Sequence, residues 1–161
     1  MSRISAYEGA ELIGRWADLM DNHAAGAAIA RYTSPDFRIV FGDIELVGLA
    51  GLNEHQRLKD DYFDERHLYY DFQVESAGPP LVMTTQMVWD SYRHASGGAI
   101  EHLIADVNHR WTFVREPETG RPLMQRHELL QLNYRPGFAP SESDPAKFHI
   151  DSSRVGFGDR A

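Results

Sequence analysis

The sequence predicts an α+β fold in which a curved, mostly antiparallel sheet is closed by three N-terminal helices into a cone-shaped barrel. Helical periodicity dominates the N-terminal part of the chain, whereas apolar and polar residues alternate through residues 67–134. Turn residues separate the alternating segments, as hairpins require. Helices and strands grouped in this way are typical of α+β proteins. Long hairpin strands beside a few helices tend to curl, so we expect a pocket inside the cone.

Three helices are predicted before the long strands. The first spans residues 6–21, where apolar side chains recur at steps of three and four residues. An alanine-rich helix over 24–32 ends at a Ser-Pro-Asp sequence, because proline disfavours a helical conformation in the residue before it. The third helix spans 49–63. Two short strands lie between the second and third helices, at 37–42 and 44–48.

Four long strands joined by turns rich in glycine and proline follow these helices. They are predicted at 67–75, 81–94, 99–116 and 123–134. The composition then shifts towards Pro, Gly, Ser and Asp. We therefore predict one cone domain over residues 1–135 and an irregular tail over 136–161.

Composition excludes several classes of function. The net charge is −8 and no basic run is present, so neither nucleic acid nor an anionic membrane is an expected partner. The absence of cysteine excludes disulfides and thiolate chemistry. The eight histidines form no His-x-His pair and no HExxH motif, so no metal site is predicted. No secretory signal or membrane-length apolar run is visible, so a cytoplasmic location is expected.

His67 opens the strand RHLYYDFQVE and is the first candidate for a working residue. An imidazole has an ordinary pKa of about 6.5 and can accept a proton near neutral pH. Alternation places His67, Tyr69 and Asp71 on one polar face. That face would meet water in an ordinary half-buried sheet, or line the pocket in a cone. The pattern alone leaves both interpretations open.

Other candidates also allow two interpretations. Asp21 ends the first helix, where a carboxylate either orients an imidazole or simply turns the chain. Asn108 and Trp111 lie on opposite faces of the strand over 99–116, and a bulge would exchange those faces. The aromatic and thioether residues fit either a pocket wall or an ordinary core. These residues are Trp16, Met20 and Trp89.

The order of elements, their lengths, and the strings LMDNHAAG and RHLYYDFQVE resemble the nuclear-transport-factor-2-like (NTF2-like) superfamily in its SnoaL-like branch, over residues 6–135. The branch includes scytalone-dehydratase-like and hexachlorocyclohexane-dehydrochlorinase-like proteins. The resemblance implies a cone-shaped barrel, a homodimer or homotrimer, and no cofactor. It also implies that His67 is a catalytic base, oriented by Asp21. By register, it implies substrate contacts from Asn108, with Tyr69 or Asp71 assisting.

The function implied by the resemblance is a cofactor-independent lyase. It would eliminate water, halide or a small carbonyl fragment from a small cyclic or aromatic substrate. One alternative is a ketosteroid-isomerase-like enzyme with Asp71 or Asp106 as its base. Another is a non-catalytic module that binds a small ligand or a partner. In the tail, Phe148 or Phe157 would cover the pocket, or the tail would wrap a neighbouring subunit.

Overall fold

The structure is a computed structural model that describes residues 2–141. Its helices are α1 (Ala6–Asp21), α2 (Gly26–Ile29) and α3 (Gly48–Leu58). Its strands are β1 (Thr33–Phe41), β2 (Ile44–Val47), β3 (Tyr62–Ser76), β4 (Leu81–His94), β5 (Ile100–Arg115) and β6 (Pro122–Tyr134). Short 3-10 turns follow α2 at Ala30–Tyr32 and join β4 to β5 at Ser96–Gly98.

The six strands form one mixed sheet in the order β2-β1-β6-β5-β4-β3. Every pair is antiparallel except β1 with β6, which is parallel. The predicted α+β class and the mostly antiparallel sheet are therefore confirmed. The sheet is not a closed barrel, however, because β2 and β3 are its two edges. The four-residue β2 does not reach β3, and α1 packs along β3 instead.

Helix α1 forms as predicted because its first turn is capped and one face is apolar. Ser5 Oγ accepts from the backbone N–H of Glu8 at 3.2 Å, and Glu8 Oε2 accepts from the backbone N–H of Ser5 at 2.8 Å. Such a capping box typically stabilises a helix by about 1 kcal/mol. Trp16 and Met20 are buried on the face towards the sheet. This packing places Asp21 in the last turn, at the edge of the sheet.

Strand β3 begins five residues earlier than the predicted start at His67. Tyr62 and Phe63 pair with Arg93 and Tyr92 of β4, so they belong to the sheet and not to the third helix. Their apolar side chains fit both a helix and a strand, and pairing with β4 decides between them. The earlier start adds five residues to the strand before His67, with a register shift against β4 between Phe63 and Arg66.

A bulge in β3 moves Asp71 away from the face that His67 occupies. The register with β4 shifts between Tyr70 and Gln73, and Asp71 has a φ of 54°. Its carboxylate is exposed and accepts hydrogen bonds from Gln73 at 2.9 Å and Gln86 at 3.1 Å. The predicted substrate contact from Asp71 is therefore corrected, because a bulge exchanges the two faces of a strand.

Strand β5 presents its odd-numbered residues to the core. Its register with β4 is continuous from end to end, so no bulge against that neighbour exchanges the faces. Val107, His109 and Trp111 are buried on the concave face. Asn108 lies on the opposite face and donates to Gln131 at 3.3 Å. The predicted substrate contact from Asn108 is therefore corrected as well.

The start of the predicted tail packs back on the sheet. The backbone carbonyl of Phe138 accepts from Ile104 N–H at 3.3 Å, and the Phe138 ring lies edge-on to His102 at 5.1 Å. The predicted pocket cover by Phe148 or Phe157 lies outside the described residues. Within residues 2–141, no helix is long and apolar enough to cross a membrane.

Candidate active site

A cavity of about 80 Å³ lies between the concave face of the sheet and helices α1 and α3. One water molecule needs only about 10–15 Å³, so the cavity has room for a small molecule. Five of the predicted site residues line it. They are His67, Tyr69, Trp16, Met20 and Trp89. Asn108 and Asp71 do not.

Asp21 lies directly behind His67. Its Oδ1 is 2.7 Å from His67 Nδ1 and also accepts from the backbone N–H of His67 at 2.9 Å. An ionised carboxylate can only accept hydrogen bonds, so Nδ1 carries the ring proton. Nε2 is then left with a lone pair. It lies 3.9 Å from Oε2 of Glu65, another residue of the cavity lining.

His67 is neutral in this environment. Burial lowers its pKa below the ordinary value, and the nearby ammonium of Lys59 lowers it further. The hydrogen bond to Asp21 opposes both effects but does not outweigh burial. A carboxylate partner alone would raise the pKa of an imidazole, so burial decides the direction here. The neutral ring with Nδ1 occupied has the protonation state that a general base needs near pH 7.

A buried ion pair stands beside the histidine. Lys59 Nζ is 3.0 Å from Oε1 of Glu65, whose side chain is 0% exposed. Oε2 of Glu65 accepts from Trp89 Nε1 at 2.8 Å. His23 Nε2 lies 3.2 Å from Oε1, on the more exposed side. The cavity thus contains an ammonium group that could stabilise developing negative charge in a low-dielectric setting.

Three more histidines line the same cavity: His55, His109 and His127. Burial lowers the pKa of His55 and of His109 to about 3, and it lowers the pKa of His127 strongly as well. All three rings are therefore neutral at physiological pH. Within residues 2–141, no group of three His, Asp or Glu side chains is arranged to hold a metal ion.

The sequence did not single out Lys59, Glu65, His109 or His127 as site residues. Glu65 lies between the predicted third helix (49–63) and the predicted strand (67–75), and its strand position emerges only from the pairing of Tyr62 with β4. His109 shares a face with Trp111. The alternation along β5 indicates the buried side for both, because charged and amide residues occupy the other face.

The carboxylates proposed for an isomerase are not in the cavity. Asp71 is exposed beyond the bulge in β3. Asp106 lies on the outer face and pairs with Arg135 at 3.0 Å. Neither can accept a proton from a molecule bound in the cavity, so this version of the isomerase alternative is wrong.

The sequence matches no protein-family model and no curated protein. Solved structures are similar, however. An NTF2-like protein with a cystatin-like fold from Novosphingobium aromaticivorans is 22% identical, with a TM-score of 0.53 over 76% of this chain and 79% of that chain. ActVI-ORFA from Streptomyces coelicolor is 15% identical, with a TM-score of 0.58 over 76% and 93% of the two chains.

The β subunit of benzoate 1,2-dioxygenase from Burkholderia mallei is 16% identical, with a TM-score of 0.60 over 80% of this chain and 91% of that chain. The chain therefore has the NTF2-like fold. This likeness confirms the fold that the predicted resemblance to the NTF2-like superfamily implies. The fold alone does not give the function, which depends on the residues of the site.

Proposed function

We propose that the protein is a cofactor-independent lyase that eliminates water, halide or a small carbonyl fragment from a small cyclic or aromatic molecule. One observation carries the proposal. Asp21 Oδ1 lies 2.7 Å from Nδ1 of a largely buried, neutral His67 that lines the cavity. An imidazole held in this tautomer is a general base whose free nitrogen is available to a bound molecule.

In the proposed reaction, Nε2 of His67 takes a proton from a carbon of the substrate. The C–H electron pair forms a new carbon–carbon π bond as the bond to the neighbouring leaving group breaks. A departing hydroxide or carbonyl fragment takes this proton back from the imidazolium and leaves as a neutral molecule, whereas a halide leaves as the anion and the imidazolium gives its proton to solvent. Asp21 stabilises the imidazolium while it exists.

The ammonium of Lys59 supports the same step electrostatically. It lies in the cavity beside His67, and removal of a proton from carbon builds negative charge on the substrate. Glu65 keeps the ammonium in place through the 3.0 Å ion pair. Trp16, Met20 and Trp89 provide an apolar wall that suits a ring. The benzoate named in one structural relative is also an aromatic molecule.

The test uses a β-hydroxy cyclic ketone such as 3-hydroxycyclohexanone, whose dehydration gives a conjugated enone with strong ultraviolet absorbance. We expect His67→Gln to lower the enone rate by about 10²–10⁴-fold, the usual contribution of a general base. His102→Gln is the matched control, because His102 also pairs with an aspartate at 2.7 Å but lies outside the cavity. Equal rates in wild type and His67→Gln would contradict the proposal.

Proton exchange tests the same base without a leaving group, because it requires only that His67 remove a proton from carbon. Wild type should catalyse deuterium exchange at the α-carbon of cyclohexanone in heavy water, followed by NMR, and His67→Gln should not. Binding without either exchange or elimination would favour a non-catalytic ligand-binding module.

We also propose that the protein associates as a homodimer or homotrimer through the outer face of the sheet. Two apolar side chains of β3 that precede the bulge are exposed there: Leu68 and Tyr70. Apolar surface of this kind is typical of a protein interface. Light scattering after gel filtration should give a mass of two or three chains. A monomer at micromolar concentration would contradict this part of the proposal.

A further inference from the structure

Unpaired polar atoms are concentrated around the cavity. Within residues 2–141, five buried side-chain nitrogen and oxygen atoms lack a hydrogen bond of normal geometry. One is Oε1 of Glu65, which pairs with Lys59 as an ion. The other four belong to Tyr69, His109 and His127, and all three residues line the cavity. Buried polar atoms are normally paired, so a cluster of exceptions requires an explanation.

The three side chains form one connected group. The rings of Tyr69 and His109 have centroids 5.6 Å apart, and those of His109 and His127 are 4.7 Å apart. His127 also stacks on Trp111 at 4.1 Å, which fixes the plane of its ring. The indole of Trp16 lies near the Tyr69 hydroxyl without making a hydrogen bond of normal geometry. A single small polar group could therefore meet more than one of these atoms.

The chemistry of the three side chains selects the kind of group. A neutral imidazole has one N–H donor and one acceptor nitrogen, and a tyrosine hydroxyl can both donate and accept. Burial keeps both imidazoles neutral by lowering the pKa of His109 to about 3 and that of His127 strongly. A carboxylate only accepts, and it would bring an unpaired charge into the apolar site. A hydroxyl group both donates and accepts, as the site does.

We propose that Tyr69, His109 and His127 form a subsite that binds a neutral hydroxyl group of the ligand, so that the ligand class is a hydroxylated ring. This inference rests on the proposed function for the identity of the cavity as the substrate site. The inference goes beyond the proposed function because it names the polar group that the site recognises. The hydroxyl supplies the hydrogen-bond partners that the protein itself does not provide.

The test compares phenol with toluene, which has nearly the same size and shape but carries a methyl group in place of the hydroxyl. Affinities are measured by NMR titration on wild type, Tyr69→Phe, His127→Phe and the outer-face control His102→Phe. We expect wild type to prefer phenol by about tenfold, the value of one well-made hydrogen bond. The preference should fall in Tyr69→Phe and be lost in His127→Phe, and it should persist in His102→Phe.

The ratio of the two affinities is used because a larger ring at residue 127 changes the space available to both probes equally. Tyr69→Phe removes only one oxygen, so its folding is not in question. Equal affinity of wild type for phenol and toluene would overturn the proposal, as would a preference that survives in both cavity variants. Benzoate binding more tightly than phenol would overturn the assignment to a neutral hydroxyl.

The same titrations on His67→Gln separate this inference from the proposed lyase activity. If the phenol preference persists in a variant without elimination activity, the subsite stands independently of the base. If wild type shows no elimination at all but retains the preference, the proposed function fails and the subsite remains. If the preference is absent while elimination depends on His67, the subsite fails and the proposed function remains.

Discussion

Two aspartate–histidine pairs with the same nitrogen–oxygen distance lie on opposite faces of the sheet. Asp21 and His67 meet at 2.7 Å beside the cavity, and Asp90 and His102 meet at 2.7 Å on the outer face. The His67 side chain is 10% exposed, whereas that of His102 is 34% exposed and stacks on Tyr92. The nitrogen–oxygen distance therefore does not distinguish a functional pair from a structural one. What distinguishes the inner pair is burial and an adjoining space for a ligand.

The largest difference between the two pairs is expected in the elimination rate when the aspartate of each pair is neutralised. Asp21→Asn removes the carboxylate that fixes the His67 tautomer and stabilises the imidazolium, so the elimination rate should fall on the order of 10²–10⁴-fold. Asp90→Asn should leave the rate unchanged, because that pair does not touch the cavity. Both are measured by enone formation. Equal losses in the two variants would mean that the inner pair has no special role.

The second comparison concerns the stability that a buried ion pair and an exposed ion pair each contribute. Lys59→Met leaves Glu65 buried without its counter-ion, so we expect the free energy of unfolding to fall by about 3–5 kcal/mol. Arg135→Met removes an exposed pair with Asp106 and should cost about 0–1 kcal/mol. Urea denaturation at pH 7 measures both. A loss for Lys59→Met no larger than that for Arg135→Met would show that burial does not strengthen the Lys59–Glu65 pair.

The cavity histidines should make the protein sensitive to acid. Their pKa values are lowered in the folded state, to about 3 for His55 and His109, so the unfolded chain binds protons first as the pH falls below about 6.5. The free energy of unfolding should therefore drop by about 1.4 kcal/mol per pH unit for each such histidine between about pH 6 and 3.

Urea denaturation at a series of pH values tests whether the free energy of unfolding falls as the pH is lowered. The variant His109→Gln lacks one of these groups and should lose stability less steeply than wild type in the same range. A stability that rises as the pH falls from 6.5 would show that the buried histidines are charged in the folded protein.

The smallest difference in the free energy of unfolding is expected between phenylalanine variants of two tyrosines, Tyr69 and Tyr62. The Tyr69 hydroxyl has the Trp16 indole nearby but no hydrogen bond of normal geometry, whereas the Tyr62 hydroxyl interacts with the charged Arg93 guanidinium. Removing an unpaired buried hydroxyl should be neutral or raise the free energy of unfolding by up to about 1 kcal/mol, so Tyr69→Phe should be no less stable than wild type. Tyr62→Phe should lower it by about 1 kcal/mol. Thermal unfolding followed by circular dichroism compares the two, and a clear loss in Tyr69→Phe would indicate that its hydroxyl is already paired.

The sequence allowed the fold to be predicted because its elements depend on local features, whereas the Asp21–His67 pair, 46 residues apart, followed only from the family resemblance. Periodicity and turn residues define α1 and the hairpins, and Leu81–His94 was predicted without error. The polar contacts were not predictable in the same way. Asp71 is displaced by a bulge, and Asn108 depends on which face of β5 meets the helices. A single residue of register decides each case, and only the assembled sheet fixes it.

Residues that depend on long-range packing were missed for a related reason. Glu65 and Lys59 look like ordinary charges near the end of a helix, where a solvated position is the usual outcome. Only the early start of β3 brings Glu65 to the cavity and gives Lys59 its partner. His127 becomes a candidate only when β6 is paired with β5, which places it opposite Trp111.

The NMR titration of His67 in wild type and in Asp21→Asn tests the central claim most directly. We expect a wild-type pKa below 6.5, because burial outweighs the carboxylate, and a still lower pKa in Asp21→Asn, because the hydrogen bond that raises it is gone. A His67 pKa that does not change when Asp21 is neutralised would show that the two residues are not coupled in solution. The proposed base would then have no orienting partner, and the lyase mechanism would be contradicted.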